Sequence, residues 1–507
     1  MWTWALFASL GVAPLSTESR SGEVAAGGGD YEIVEIEVPE GTVELEIRHD
    51  TLSNRSILDW GVWDPDGFRG WSGGLVDPIV IGEEAASRGY LPGPLAPGTW
   101  QIVIGKARIE DPPVGYEIEI DYRDQATLEP RARAPYEAVT LEEGARWYRG
   151  DLHVHSRESG DATAAFDEIV ELARERGLDF VVITDHNTIS QIDRVAAVQA
   201  EVDDVLLMRG IEVTTYGGHG NALGVGDYVD HRVGLDGRGI ADVIADVRAQ
   251  GGLFSINHPA LALGDLCIGC AWEYDDAPLE LIDAVEIHTG PYEFAGLFAG
   301  HAIALWEDAL DRGHVVAAVG GSDDHQAGIE LSSTQSPIGS PTTLVWADEL
   351  SEAAILEGVA AGRTIVNLRG PDDPELSIAV EGDGGGGEPA GIGDRIEAGD
   401  VVVRAAARGA KGYRLAFYRN GRRVDSVAID DDEFEYAWPR ETSEEGDRYR
   451  AEIRDGSVPL VVTSYVFVDD AEPRSGGCAA SGRTGGAAVL LVVLAAGFGF
   501  ARRRWTR

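Results

Sequence analysis

Lysine is scarce in this 507-residue chain and occurs only as Lys106 and Lys411. The 41 basic residues are therefore nearly all arginine, and 87 aspartates and glutamates outnumber them, which gives a formal net charge of -46. Such an acidic balance repels nucleic-acid phosphates, so it excludes an extended nucleic-acid surface. The charge does not indicate the fold, whereas the length of the chain favours about three domains.

Cysteine is also scarce, and the three cysteines are Cys267, Cys270 and Cys478. A single C-x-x-C pair supplies only half of a zinc site of the paired C-x-x-C type. In an exported chain, the spacing of Cys267 and Cys270 in "GDLCIGCAW" favours a disulfide within a loop. Zinc binding and redox chemistry are the alternatives for this pair.

Apolar runs mark the two ends of the chain. The opening "MWTWALFASLGVAPL" has the length of a signal peptide, although it lacks a basic segment, and we predict a signal peptide over residues 1–20. Near the other end, an apolar run precedes Arg502–Arg504, which predicts a linker and a transmembrane anchor over residues 471–507. Because such arginines stay cytoplasmic, the body of the protein is expected outside the cytoplasm, anchored at the cell envelope. A buried C-terminal core helix is the alternative.

Between these ends, glycine- and proline-rich turns divide the chain into three segments. Short alternating runs such as "YEIVEIEV" predict an antiparallel β-sandwich over residues 23–135. Strands alternate with helices over residues 147–369, and a second β-sandwich is predicted over residues 371–470. Three tryptophans in the first sandwich, Trp60, Trp63 and Trp71, are expected to pack between sheets, with a carbohydrate or peptide groove as the alternative.

The middle segment repeatedly places histidines and carboxylates at the ends of apolar strands. His153 and His155 stand two residues apart in "DLHVHS", which puts both rings on one face of a strand. Three further apolar runs, in "FVVITDHN", "GLFSINHP" and "VVAAVGGSDDH", lead into Asp185 and His186, His258, and Asp323 and His325. The carboxyl ends of strands in a β/α series meet on one side of a barrel, so we expect these side chains to converge.

The convergence predicts a metal site. Imidazole nitrogens and carboxylates suit zinc, manganese or iron(II), and a carboxylate can bridge two cations. Glu212 and His219 in "EVTTYGGHGNALG" bracket a glycine-bearing turn that would aim both inward. Asp185 is expected to orient its neighbour rather than to bind metal. His288 is expected in a pocket wall. The remaining histidines are expected to be structural or exposed: His49, His231, His301 and His314.

Five motifs occur in order and resemble the polymerase and histidinol phosphatase (PHP) superfamily: "DLHVHS", "GLDFVVITDHN", "EVTT" with a following histidine, "NHP" and "GSDDH". The resemblance spans about residues 149–367 and implies an α/β fold, a distorted seven-fold β/α barrel, here flanked by the two predicted β-sandwiches. The segment "GYLPGPLAPGTW" and the "EVTT" block resemble the carbaryl-hydrolase-like branch. The tail from Ser475 to Arg507, which includes Cys478, resembles the C-terminal sorting signals of myxobacterial surface proteins.

The PHP resemblance implies two or three divalent metal ions. It assigns His153, His155, Glu212 and Asp323 to the first ion, and Glu212, His219 and His258 to the second. A third ion would lie among Asp161, His186 and His325. Members of the family often have Ser-Asp-Gly at the position of Asp161, whereas this chain has "SGDA", which moves the carboxylate by one residue.

The expected activity is hydrolysis of a small-molecule ester by metal-activated water, most specifically of a phosphoester. Arg157 would clamp phosphate oxygens, with Arg209 as another candidate, and His258 or His325 would relay a proton. A carboxylic ester or carbamate hydrolase using the same site is the alternative. A surface-anchored binding protein without activity is the other alternative, and it would be expected to lack ligands.

Overall fold

The computed structural model describes residues 13–264, 267–382 and 388–468, which divide into two compact units. The first unit contains the described residues up to Asp373 together with Ser457–Val461, and the second contains Pro374–Gly456 and the described residues from Val462. Within the described residues, no helix is long and apolar enough to cross a membrane. The predicted signal peptide to residue 12, Cys478 and the C-terminal anchor lie outside the described residues.

The first unit begins with two antiparallel four-stranded sheets. In chain order the strands are β1 (Ser16–Val24), β2 (Tyr31–Val38), β3 (Glu44–Thr51), β4 (Ile57–Asp64), β5 (Gly67–Gly73), β6 (Ile79–Gly82), β7 (Gly98–Arg108) and β8 (Val114–Arg123). One sheet has the order β1-β8-β3-β6 and the other β2-β7-β4-β5. Trp60, Trp100 and Ile118 belong to the buried cluster between the sheets, because alternate residues of each strand point inward. Trp63 and Trp71 belong to a second cluster, on the other face of the β4 sheet, together with Tyr216.

The middle segment of the first unit mixes strands with helices. Its elements are β9 (Thr140–Val154), α1 (Phe166–Glu175), β10 (Phe180–Ile183), α2 (Ile192–Gln199), β11 (Leu206–Thr215), β12 (Gly218–Leu223), α3 (Ile240–Ala249), β13 (Leu253–Ile256), β14 (Ala284–Thr289), α4 (Ala295–Leu310), β15 (Ala317–Gly321), β16 (Thr342–Ser351), α5 (Glu352–Ala360) and β17 (Thr364–Asn367). The buried face of α1 carries Phe166, Ile169, Val170 and Ala173, as the helical spacing predicts.

The strands β9 to β15 are neighbours in chain order, but they do not form a regular β/α barrel. Strands β9, β10 and β11 are parallel, as are β13, β14 and β15, whereas β12 is antiparallel to both of its neighbours. Thr215 pairs with Gly218, so only Tyr216 and Gly217 separate β11 from β12, which is too short for a crossover helix. Strand β15 lies beside β9, where Asp323 N donates to His153 O at 2.9 Å.

The second unit is built from strands. They are β18 (Glu375–Gly382), β19 (Arg395–Ile396), β20 (Gly399–Arg408), β21 (Arg414–Arg419), β22 (Arg422–Ala428), β23 (Glu433–Ser443), β24 (Arg448–Asp455) and β26 (Val466–Val468), while β25 (Val458–Thr463) begins in the first unit. One antiparallel sheet has the order β18-β20-β23. In the other sheet β21 pairs with β22 and β24, and β26 pairs with β24 and β19.

Candidate metal centre

The ends of four strands bring the predicted ligands into one cluster. His153 lies at the end of β9 and His155 follows it, with the two ring centroids 5.1 Å apart. The ring of His155 lies 4.3 Å from that of His186, which follows β10, and 4.1 Å from that of His325, which follows β15. His258 follows β13, and its ring lies 5.7 Å from that of His153. Strand ends therefore converge as the sequence indicates.

The buried carboxylate of Glu212 is the centre of this cluster. Its Oε1 atom lies 3.3 Å from His153 Nε2, 3.3 Å from His219 Nδ1 and 3.2 Å from His258 Nε2. Its Oε2 atom lies 3.5 Å from His155 Nε2 and 2.8 Å from His186 Nδ1. Each carboxylate oxygen thus faces imidazoles that the resemblance assigns to different ions, so this carboxylate lies where it could bridge cations.

A second carboxylate joins the first group. Asp323 Oδ1 lies 3.3 Å from His153 Nε2 and 3.0 Å from His155 Nε2. Ligand atoms of His153, His155, Glu212 and Asp323 all lie within 4.8 Å of one another, which is close enough to hold one ion. This set is the one that the family resemblance assigns to the first metal.

A third group contains Asp161, despite its shifted position in the sequence. Asp161 Oδ2 lies 3.4 Å from His186 Nε2 and 3.4 Å from His325 Nε2. His325 directs Nε2 toward Asp161 because its Nδ1 atom lies 2.8 Å from Asp323 O. Asp161 is the most exposed of the candidate ligands, with 60% of its side chain accessible, so this group opens to solvent.

Unpaired buried atoms test whether the first group fits a metal ion. His153 Nε2, His155 Nε2, Glu212 Oε2 and Asp323 Oδ1 are all buried, and among the described residues none makes a hydrogen bond of good geometry, although each lies close to other atoms of the cluster. Buried polar atoms are rarely left without a partner in native proteins. The four atoms belong to the four residues of one candidate ligand group, so the donor set fits a divalent cation.

Carboxylates set the charge of the cluster. Burial opposes charge on His153, but the carboxylates of Glu212 and Asp323 outweigh it and raise the pKa of this ring well above its usual range. Burial has the larger effect at His155 and lowers the pKa of that ring to about 3. His155 is therefore neutral at physiological pH, which is the form that binds metal. Near His153, a metal ion would compete with protons.

The backbone is strained at two of the candidate ligands. His258 has a φ of 28° and Asp323 a φ of 57°, in the left-handed region that residues with side chains rarely adopt. Such strain is often stored at functional sites, where the surrounding structure fixes the conformation. Here the His258 N–H donates to Glu286 Oε2 at 2.8 Å, and the Asp323 N–H donates to β9.

Comparison with known protein families finds a match over part of the chain that carries the candidate ligands. Residues 151–275 match the family described as the PHP domain. This segment, called the PHP segment below, covers about a quarter of the chain and includes Glu212, His219 and His258 but not Asp323 or His325. No curated protein matches the chain.

The solved structures that are similar to the chain include two proteins described as phosphoesterases of this kind. A two-domain protein from Bacteroides vulgatus, described as containing a predicted PHP-like metal-dependent phosphoesterase, is 18% identical, with a TM-score of 0.37. The match covers 67% of this chain and 100% of that protein. A Bifidobacterium adolescentis protein described as a candidate metal-dependent phosphoesterase is 17% identical, with a TM-score of 0.27, and the match covers 37% of this chain and 92% of that protein.

Two buried aspartates support the ligands of the PHP segment. Asp151 accepts hydrogen bonds from the N–H groups of His153, Ser322 and Gly339 at 2.6–3.1 Å, which ties β9 to the end of β15. Asp185 accepts from the N–H and hydroxyl of Ser156 at 2.8 and 2.7 Å and from the N–H of Ser159 at 3.1 Å. The Ser159 hydroxyl in turn lies 3.2 Å from His155 Nδ1, so Asp185 positions the turn that holds this histidine.

Glu286 belongs to the site, but the sequence analysis did not single it out. Its Oε1 atom lies 3.2 Å from His153 Nδ1, which leaves Nε2 of that ring facing Glu212. The sequence "VEIHTG" drew attention to His288 instead. That residue is buried, but it is not among the residues that line the cavity described below, and the β14–β15 pairing shifts register between Glu286 and His288.

Neither candidate arginine reaches the cluster. Arg157 is exposed and does not line the cavity. Arg209 Nη2 lies 2.6 Å from Glu352 Oε1, and its guanidinium lies 3.6 Å from the Tyr136 ring, so Arg209 serves a structural contact. The predicted phosphate clamp at Arg157 therefore has no support from the geometry.

The disulfide favoured by the sequence is present and lies beside the second metal group. Cys267 and Cys270 are bonded in the loop that follows β13. Two carbonyl oxygens of this loop contact candidate ligands: Cys270 O lies 3.1 Å from His258 Nδ1, and Ile268 O lies 3.2 Å from His219 Nε2. These contacts leave His258 Nε2 and His219 Nδ1 facing Glu212, which fixes the nitrogen available for metal.

The cluster lies at the base of a cavity of about 920 Å³. Its base is lined by Asp161, His186, Glu212, His219, His258, Asp323 and His325. Its sides are formed by the PHP segment, by α4 and by the N-terminal sheets, whose contribution includes Tyr31, Asp59 and Trp71. The cavity has the size of a small-molecule site.

Proposed function

We propose that this protein is a metal-dependent hydrolase that acts on phosphoesters. The observation that carries the proposal is the Glu212 carboxylate, whose two oxygens lie within 3.5 Å of five imidazoles. The four unpaired buried atoms of the first ligand group support it, as does the PHP-domain match over residues 151–275. Two or three ions of zinc, manganese or iron(II) fit this donor set.

The contacts support the following ligand assignments. His153, His155, Glu212 and Asp323 would hold one ion, and Glu212, His219 and His258 would hold a second. Asp161, His186 and His325 would hold a third, at the exposed side of the cluster. When bound, such cations lower the pKa of a water molecule toward neutrality and neutralise charge that develops on the ester oxygens.

The protein's own groups orient the ligands rather than attack the substrate. Both ring nitrogens of His258 are engaged, by Cys270 O and by Glu212, and both of His325 are engaged, by Asp323 O and by Asp161. These contacts favour a ligand role over proton relay for both histidines. Because Arg157 does not line the cavity, the bound cations would have to supply the positive charge that offsets a phosphate.

One observation favours a second candidate function. Among the described residues that line the cavity there is no arginine or lysine, and many are apolar. A neutral substrate, a carboxylic ester or a carbamate, suits such a lining without any cationic side chain. The same metal cluster would serve this reaction.

Steady-state hydrolysis by the full-length protein, purified with added Zn²⁺ or Mn²⁺, tests these functions. A phosphomonoester, a phosphodiester and an aryl carbamate, all releasing para-nitrophenol, are compared in wild type, His153→Ala and His301→Ala. His301 is an exposed histidine on α4 and serves as the control. We expect His153→Ala to lose activity by at least about 100-fold and His301→Ala to keep it. Carbamate hydrolysis alone would select the second candidate, and equal activity in both variants would refute the site.

We also propose that the protein is exported and anchored at the cell envelope by its C-terminal segment. The apolar runs at both ends and Arg502–Arg504 support this location. A disulfide between Cys267 and Cys270 is consistent with an oxidising compartment. Protease added to intact cells should degrade the body of the protein, and complete protection of a chain shown to be protease-sensitive after lysis would contradict the proposal.

A further inference from the structure

The N-terminal sheets form part of the wall of the cavity that also contains the metal cluster. Strand β4 contributes Asp59, which accepts a hydrogen bond from Tyr216 Oη at 2.8 Å. Gly105 on β7 makes room for this contact, because a Cβ at that position would lie 2.1 Å from the Tyr216 hydroxyl. The loop after β5 comes close to the candidate ligand Asp161, since a Cβ on Gly160 would meet Leu75 Cγ at 3.2 Å. Both segments belong to the first unit.

This wall is aromatic and apolar. The rings of Tyr31 and Tyr216 stack with centroids 5.8 Å apart, and the Trp71 ring lies edge-on to Tyr31 at 6.4 Å. The cavity lining also includes Leu261, Leu263, Ile268, Phe294 and Phe298. Surfaces of this kind bind the apolar, ring-bearing part of a ligand.

Apart from histidines, the ionisable side chains that carry charge in the cavity lining are carboxylates. Four carboxylate side chains, Asp59, Asp161, Glu212 and Asp323, line it, and the described lining residues include no arginine or lysine. Bound cations would offset the three carboxylates at the base, but Asp59 lies in the wall. A substrate with several negative charges would have nothing but the metal ions to neutralise it, whereas a substrate with one negative charge needs less compensation.

We propose, resting on the phosphoesterase function proposed above, that one wall of the cavity selects the substrate. This wall, called the distal wall, consists of Tyr31, Trp71, Leu75 and Tyr216. It selects phosphodiesters that carry one negative charge and an apolar ring on the non-reacting ester group. In the reaction, the oxygen of water forms a new P–O bond and the P–O bond to the leaving group breaks. One proton of the water passes to the leaving oxygen and the other stays with the phosphomonoester product.

Three substrates with the same leaving group test the distal wall. They are bis(para-nitrophenyl) phosphate, methyl para-nitrophenyl phosphate and para-nitrophenyl phosphate, which carry a ring, a methyl group and an extra negative charge, respectively. We expect kcat/KM of the metal-loaded full-length protein to fall by at least about 10-fold at each step of this series. Diphenyl phosphate should also inhibit at lower concentration than dimethyl phosphate.

An arginine introduced into the distal wall should reverse the charge preference. Leu75→Arg is expected to lower the ratio of kcat/KM for the ring diester over the monoester by at least about 10-fold. The neighbouring Val76 is 75% exposed and does not line the cavity, so Val76→Arg is the matched control and should leave the ratio unchanged. Ile57→Arg, at another lining position, replaces Leu75→Arg if that variant does not fold.

The possible outcomes distinguish failure of the distal-wall proposal from failure of the proposed phosphoesterase function. Protein that binds metal and hydrolyses phosphoesters but prefers the monoester, or keeps its ratio in folded Leu75→Arg or in the Ile57→Arg variant that replaces it, refutes the distal wall and leaves the phosphoesterase function intact. Protein that binds no metal and hydrolyses none of the three substrates refutes both.

Discussion

Removing the charge of Glu212 should uncouple the stability of the protein from metal. Glu212→Gln keeps the size of the side chain but replaces one bridging oxygen with an amide nitrogen, which repels cations. Glu212 is the residue common to the first and second ligand groups, so we expect the variant to weaken both. The third group, which contains Asp161, should be affected less.

The magnitude follows from the number of sites that share this carboxylate. A ligand present at 100 times its dissociation constant stabilises the folded state by about 2.7 kcal/mol per site, so two sites give about 5 kcal/mol. For a unit of this size, such a loss lowers the melting temperature by on the order of 10 °C. Chelation of wild type should therefore cause a fall of at least that order, and chelation of Glu212→Gln, which keeps at most the third site, a fall of no more than about 5 °C.

Thermal unfolding measured with saturating Zn²⁺ and again with EDTA gives these differences directly. Glu175→Gln, at an exposed position on α1, removes the same charge away from the site and should respond to chelation as wild type does. If chelation destabilised Glu212→Gln as much as wild type, Glu212 would not be a metal ligand and the reasoning from its contacts would be wrong.

Other residues offer three further tests. Glu286→Gln should weaken metal affinity by about 10- to 100-fold because Glu286 orients His153, as a competitive zinc titration would show, and an unchanged affinity would argue against this role. Asp185→Asn should lower kcat more than it raises KM, since it loosens the turn that holds His155, and a change in KM alone would instead place Asp185 against the substrate. Burial lowers the pKa of His49 to about 4, below its value of 6.5 in the unfolded state. The unfolded state therefore takes up a proton first as the pH falls, so the folded state loses stability between about pH 6.5 and about pH 4. Over that range His49→Phe should gain up to about 3 kcal/mol of unfolding free energy relative to wild type in urea unfolding, and a constant difference would show that His49 does not titrate this way.

The clustering of the candidate ligands in space could be predicted from the sequence because several of them lie at the end of an apolar strand or directly after it. The period of two in "HVH" and the position of polar residues after buried strands are local patterns, and parallel strands bring such ends together. The antiparallel strand β12 was not expected, although the tight turn at Tyr216 and Gly217 that produces it is visible in "TYGGHG".

The rest of the site depends on contacts between distant segments. Glu286 and His288 stand two residues apart on β14, so strand alternation alone could not tell that the glutamate faces the cluster. The placement of Asp59 and Trp71 in the cavity wall depends on how the N-terminal sheets pack against the PHP segment. Neither the orientation of Glu286 nor the position of Asp59 and Trp71 can be predicted from the local sequence pattern. The exposure of Arg157 likewise follows from the path of the turn after β9.

The metal content of the full-length protein tests the central claim most directly. After dialysis against limiting free Zn²⁺ or Mn²⁺, elemental analysis should find two or three equivalents per chain in wild type. It should find at least one equivalent fewer in Asp323→Asn, since Asp323 contacts both His153 and His155. Less than one equivalent in correctly folded wild type, or the same content in Asp323→Asn, would contradict the assignment of this cluster as a metal centre.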